Sequence, residues 1–306
     1  MSLTLPADAS PESQTRYALA QRLAAQCPLE LAQTIIIIGS VSRGYSDHFS
    51  DLELSFFSDN PQPVSVYEEW LRAIGGLVEP EEMAYHGGSL TKSWHDGVFV
   101  EGSWRPYTAL DERLERVMRA ATLDHWNLTE AWHIHDAIIL RDEGRLAAWQ
   151  ERLANYPPAL AERLFEAATE AWRDLHWWPV SLVNVWPVAE RGLRMELAGR
   201  LEWIINDGLR VLFALNRRWE PDYKWLEPEG RKLTRAPDHL AARVNAIFSQ
   251  AQPRAAVSLC LDLIDDILAI AQRIMRAHGG TLTAANCPQG GAIFTGSAPM
   301  NAALAA

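Results

Sequence analysis

A Gly39-Ser40 pair, a polar stretch and then Asp51-Leu52-Glu53 form the segment of the chain best suited to chemistry. In an extended strand, side chains two residues apart point to one face, so Asp51 and Glu53 aim two carboxylates at one point. Two hard oxygen donors are what magnesium bound to a nucleoside triphosphate needs, with phosphates and water completing its octahedron. Gly39 lets the backbone come close to phosphate oxygens, and Ser40 adds a hydroxyl and a backbone N–H. Arg43 supplies a cation within the same turn.

This segment resembles the nucleotidyltransferase superfamily that includes DNA polymerase beta and the aminoglycoside nucleotidyltransferases. Their pattern is Gly-[Gly/Ser], a short spacer and Asp-x-[Asp/Glu], and Gly39-Ser40 with Asp51-x-Glu53 matches it in residue type and spacing. The resemblance implies a mixed sheet flanked by helices and two magnesium ions. It also implies ATP or another nucleoside triphosphate as substrate, and transfer of a nucleoside monophosphate with pyrophosphate leaving. A third carboxylate on a later strand belongs to the pattern. Glu101 takes that place as the acid inside the apolar strand Val98-Phe99-Val100-Glu101-Gly102-Ser103-Trp104. It would hold the metal that activates the acceptor hydroxyl, or act directly as general base. Asp96 is the runner-up, although Asp96-Gly97 suits a hairpin turn.

A second resemblance lies in Leu212-Phe213-Ala214-Leu215-Asn216-Arg217-Arg218-Trp219-Glu220-Pro221-Asp222-Tyr223-Lys224-Trp225-Leu226. It looks like the C-terminal part of uncharacterised bacterial proteins that join a nucleotidyltransferase domain to a DUF4037-type segment. Lys224, a point charge beside aromatic residues, would reach the triphosphate from this second domain. The plainer reading is that Arg217, Arg218 and Lys224 are cations near a helix C-terminus. Further on, the helix through Ile274 and the glycine-rich stretch to Phe294 resemble the last helix and hairpin of a histidine-kinase ATPase domain, and are read as a fragment.

The reaction implied is magnesium-dependent transfer of a nucleoside monophosphate, AMP from ATP first, to a hydroxyl of a small molecule. An antibiotic is one acceptor the analogy offers, but analogy of fold does not name an acceptor. Two alternatives stand beside it: adenylylation of a protein hydroxyl, and a catalytically silent nucleotide-binding regulator. A net charge of −11 opposes a broad basic surface for nucleic acid and suits a cationic acceptor.

Cys27, Cys260 and Cys287 are scattered, with no CxxC, which fits a reduced cytoplasmic compartment. The first residues show no basic segment followed by an apolar one, and no apolar run approaches about 18 residues, so neither a secretion signal nor a membrane span is expected. His133 and His135, two apart on a helix, diverge by about 200° and make a poor zinc pair. The tryptophans between 172 and 186 are assigned to helical packing rather than to an aromatic acceptor pocket.

These groups need elements to position them. Hydrophobic residues at 48% and charged residues at 22% indicate a folded chain, and 306 residues allow two domains. A helix is expected over 11–27, strands over 35–38 and 52–57, a helix over 66–74, and strands over 90–94 and 98–104 around the Asp96-Gly97 turn. Helices follow near 110–121, 128–137, 159–176, 190–216, 239–250 and 257–277, with one short strand at 138–140. The expected fold class is α+β: a nucleotidyltransferase domain over 1–115, a helical domain over 116–265, and a C-terminal helix and hairpin over 266–306.

Overall fold

The computed structural model describes residues 3–79, 84–85, 87–173, 181–277, 281–286 and 292–297. The chain divides into two units, Met1–Val117 with Glu130–Asn155, and Met118–Thr129 with Tyr156–Ala306. Cys287, Trp177, Trp178 and the turn over 289–291 lie outside the described residues.

In the first unit the order is α1 (Pro11–Gln26), β1 (Thr34–Ile37), α2 (Gly39–Arg43), β2 (Leu52–Ser58), α3 (Val64–Ala73), β3 (Leu77–Glu79) and β4 (Ala84–Tyr85). It continues with β5 (Gly88–His95), β6 (Val98–Pro106), α4 (Tyr107–Met118), α5 (His125–His135), β7 (Ile138–Arg141) and α6 (Arg145–Leu153). A seven-stranded mixed sheet runs β3-β5-β6-β2-β1-β7, with β4 paired to β5. The fold is α+β, with helices flanking a mixed sheet, as expected. Strands β2 and β6 are parallel, and the remaining pairs are antiparallel.

The β-branched run of β1 is buried throughout, which follows from its central place between β2 and β7. Ile35 and Ile37 join Leu52, Leu54, Phe56, Val100 and Trp104 in one core, against Leu19, Leu23 and Ala24 of α1. Trp104 stacks between Phe56, at 3.9 Å between ring centroids, and Tyr67 of α3, at 4.0 Å. Trp70 meets Trp104 edge-on at 5.7 Å. This face of the sheet is filled with aromatic and aliphatic side chains, and the sheet's charged row lies on the opposite face, among Ile36, Phe57 and Phe99.

Helix α6 was not among the sequence expectations. Leu146, Trp149 and Leu153 form its buried stripe. Asp142 caps it, accepting hydrogen bonds from the backbone N–H of Leu146 at 3.2 Å and of Ala147 at 3.0 Å.

The second unit is helical: α7 (Pro158–Arg173), α8 (Val185–Glu190), α9 (Arg194–Leu215), a 3₁₀ turn (Tyr223–Trp225), α10 (Leu226–Gly230), α11 (Leu240–Phe248) and α12 (Pro253–Ala277). The helix expected over 190–216 is α9, which begins at Arg194; the short α8 ends before it at Glu190, and between them the chain turns at Gly192 with φ +68°, a left-handed conformation that an α-helix cannot continue. An antiparallel hairpin of β8 (Thr281–Asn286) and β9 (Ala292–Ser297) follows α12. Among the described residues, no helix is long and apolar enough to cross a membrane.

Candidate functional site

Strand β1 runs out at Ile37, and Ile38 is still extended when the chain enters Gly39 at φ +69°. Helix α2 lasts five residues and stops at Gly44, again left-handed at φ +77°. The resulting turn is clamped from inside by Arg43. Its guanidinium donates to the Gly39 carbonyl at 2.8 Å and the Trp132 carbonyl at 3.1 Å, lies 3.2 Å from an Asp136 oxygen, and stacks over the Trp132 ring at 3.3 Å. Arg43 is thus a buried strut of the turn, and the expectation that it contacts nucleotide finds no support in this geometry.

The stretch leading into β2 is held by α1. Ser10 Oγ donates to the Ser46 carbonyl at 2.6 Å, the Ser46 N–H donates to Ser13 Oγ at 3.0 Å, and Arg16 Nε donates to the Ser50 carbonyl at 3.0 Å. Ser40 and Ser46 share a hydroxyl–hydroxyl hydrogen bond of 3.1 Å. Asp47 closes a small turn by accepting from Ser50 Oγ and from the Phe49 N–H, and the Ser50 hydroxyl is the main reason its carboxyl sits below the usual range. Asp51 therefore enters β2 from a fixed direction.

Glu53 on β2 is the register partner of Glu101 on β6, and Glu101 in turn pairs with Lys92 on β5. In-register residues on neighbouring strands present their side chains to the same face. One face of the sheet therefore carries the row Glu53, Glu101, Lys92 and, on β3, Glu79. Behind the first two, Ser103 Oγ donates to Ser55 Oγ at 2.8 Å. On the same face Trp94 and Phe99 pair across β5 and β6 with ring centroids 5.1 Å apart.

Glu53 also reaches the Gly39 turn: a β-carbon on Gly39 would overlap its carboxylate and lie 2.7 Å from its Cδ. The absent side chain of Gly39 is thus what admits Glu53. Among the described residues, no three or more His, Cys, Asp or Glu side chains are gathered closely enough to form a metal cage. Magnesium does not require one, since it usually binds one or two carboxylates together with substrate phosphates. Asp51 and Glu53 are oxygen donors of that kind.

Farther along the same face, Arg105 of β6 meets Glu130 of α5 in a bidentate pair, 2.9 Å at each oxygen, with Arg113 at 3.3 Å. Burial alone would raise the Glu130 carboxyl, but the charge and hydrogen bonds of Arg105, aided by Arg113, hold it at about 2.

In the second unit, Lys224 lies on the 3₁₀ turn, its N–H donating to Asp222 Oδ1 at 3.1 Å and its ammonium 3.2 Å from Asp222 Oδ2. Both side chains are exposed, and the Lys224 charge already has a carboxylate beside it.

Lys92, the Ser55–Ser103 pair and Glu130 were not singled out from sequence. Lys92 was readable: Asp96 and Gly97 both have positive φ, as a two-residue hairpin turn requires, and counting outward from that turn pairs Lys92 with Glu101. The pairing of β2 with β6 had no comparable local signal.

Residues 125–226 match the model of DUF4037, a domain of unknown function. No curated protein matches the sequence. Among solved structures, the nucleotidyltransferase-like protein from Exiguobacterium sibiricum 255-15 aligns over 94% of this chain and 99% of its own, with 11% identity and a TM-score of 0.36.

Proposed function

We propose that the protein is a magnesium-dependent nucleotidyltransferase that moves a nucleoside monophosphate, AMP from ATP in the first instance, to an acceptor hydroxyl. The observation that supports this most is the register of Glu53 with Glu101 on one face of the sheet, with Asp51 at the mouth of β2 and the Gly39 turn against Glu53.

In this reading Asp51 and Glu53 hold magnesium, which when bound neutralises developing charge on the phosphates and orients them. The 39–44 turn offers its backbone N–H groups and the Ser40 hydroxyl to phosphate oxygens. Glu101 sits next in the row and accepts the proton of the acceptor hydroxyl, needing only hydrogen-bond reach to that oxygen. Lys92, beside Glu101, supplies the positive charge on this face that Arg43, committed to its own turn, does not. Lys224 is a second candidate cation for the phosphates, with Asp222 as the carboxylate its ammonium would have to leave. The acceptor is a small molecule, and the net charge of −11 favours a cationic one.

Titration calorimetry with ATP, with and without magnesium, tests the assignment. Wild-type protein should bind ATP only when magnesium is present, and the folded double variant Asp51→Asn/Glu53→Gln should not. Unchanged magnesium-dependent affinity in that variant would overturn the reading. Pyrophosphate release then distinguishes the enzyme from a silent nucleotide binder.

A further inference from the structure

The second unit contains a cavity of about 210 Å³ whose walls are of two kinds. Leu164, Ala167, Ala168 and Ala171 of α7 line one side with Leu123, and the three alanines leave the space open. Trp203, Asp207 and Arg210 of α9 line the other, and the spacing of four and then three residues puts them on one helix face. A cavity of 150 Å³ takes up benzene, so this one has room for roughly eight non-hydrogen atoms.

Behind the cavity lies a charge network. Arg210 Nε donates to Glu220 Oε2 at 2.9 Å. Glu220 Oε1 accepts from the Tyr223 hydroxyl at 2.8 Å and lies 3.0 Å from His125 Nδ1. Glu220 is therefore fully satisfied and buried. Asp207 is not: Arg210 Nη1 approaches Asp207 Oδ1 at only 3.4 Å, and among the described residues Asp207 Oδ2 makes no hydrogen bond. Glu220 thus has both Arg210 and His125, whose imidazole it holds above its usual value, as cationic partners, whereas Asp207 has only the longer Arg210 contact, and the carboxylate that borders the cavity is the one poorly matched. Burial first, and then the charge of Glu220, push the Asp207 carboxyl up to about 6 against the pull of Arg210. A positive charge entering from the cavity would correct that imbalance, and Trp203 offers an aromatic wall alongside it.

We propose that this cavity binds a small organic cation, an ammonium group on an apolar or aromatic body, with the nitrogen on Asp207 and the body between Trp203 and the alanine face of α7. The site stands on the second unit alone and does not depend on the nucleotidyltransferase reading.

The full-length protein is titrated calorimetrically at pH 6 with benzylamine, benzyl alcohol and benzoate, three probes of nearly one shape and different charge. Benzylamine should bind in the millimolar range or tighter, at least tenfold better than the other two. Its binding should release protons, seen as a heat that depends on the buffer's ionisation enthalpy, because the ammonium favours ionised Asp207. Asp207→Asn should weaken benzylamine at least tenfold and abolish proton release, and Ala168→Leu should block all binding by filling the cavity. Preference for benzoate would assign the site to Arg210 and an anion. Equal binding of amine and alcohol would reduce it to an apolar hole, and binding of no probe would remove it. Each of these overturns the proposal, and the comparison of probes on wild-type protein needs no variant to fold.

Discussion

The Glu53 carboxylate fills the space that a β-carbon on Gly39 would occupy. A glycine loop and an acidic strand that are separate in sequence are thereby one structural object: the loop's conformation admits the acid, and the acid's position requires the loop to lack a side chain.

The substitution Gly39→Ala should therefore cost stability through φ +69° and displace the Glu53 carboxylate from its place against the turn. A left-handed non-glycine residue costs of order 1–3 kcal/mol. Thermal unfolding should show that loss, and magnesium-dependent ATP affinity should fall at least tenfold.

Glu101 is tested by separating binding from turnover. If it accepts the acceptor's proton, Glu101→Gln should leave ATP binding within a few-fold and reduce pyrophosphate release by about 10²–10⁴. Lys92→Met, beside it in the row, should weaken ATP more than AMP. Equal losses of binding and turnover in Glu101→Gln would make it a structural member of the row.

The Arg105–Glu130 pair predicts a stability effect with a definite pH sign. Because the folded carboxyl lies at about 2, below its ordinary value of 4.5, its contribution is present above pH 5 and is lost as pH falls toward 2. Arg105→Leu should destabilise the protein by about 3–5 kcal/mol at pH 7, since Glu130 is left buried with only Arg113, and Arg105→Leu/Glu130→Leu should recover much of it. Denaturant unfolding of the two variants decides this.

Asp207 behaves oppositely. Its carboxyl is raised from 3.8 to about 6, so the folded state favours the proton, and stability is lost as pH rises from about 4 to 6. Asp207→Asn should accordingly raise Tm at pH 7, with a stabilisation of up to about 3 kcal/mol, and change little at pH 3.5. Stabilisation equal at both pH values would show that the carboxylate charge is not the cause.

Lys224 has a competitor in Asp222. Lys224→Met should weaken ATP more than AMP, and Asp222→Asn, which releases the ammonium, should strengthen ATP. Identical effects of Lys224→Met on the two nucleotides would leave Lys224 as a local partner of Asp222.

The sheet and its site were legible to different depths. The four isoleucines ending at a glycine announced β1, and the Asp96-Gly97 turn fixed the β5–β6 hairpin, because both signals are local. Glu101 could be marked as an acid in an apolar strand, but its alignment with Glu53 depends on a parallel pairing across α3 and three further strands, for which neighbouring residues carry no code. Arg43 shows the limit from the other side: its position in the turn suggested phosphate, and its contacts with Trp132 and Asp136, some ninety residues away, could not be read from its neighbours. Helix α6 was missed because its capping residue, Asp142, directly follows a strand and left only a short apolar stripe to read.

Strand β7 has a consequence for how the chain can be divided. The segment that completes the sheet at β1 comes after the first unit has been interrupted, and it supplies the antiparallel partner of Ile35, Ile36 and Ile37. A chain ended at Val117 would keep Gly39, Asp51, Glu53, Lys92 and Glu101 yet present this fully buried isoleucine strand as an open edge, a template for self-association. The boundary that looks natural along the sequence would yield aggregates, and a soluble first unit would have to carry residues 130–155 rejoined to 117 by a linker.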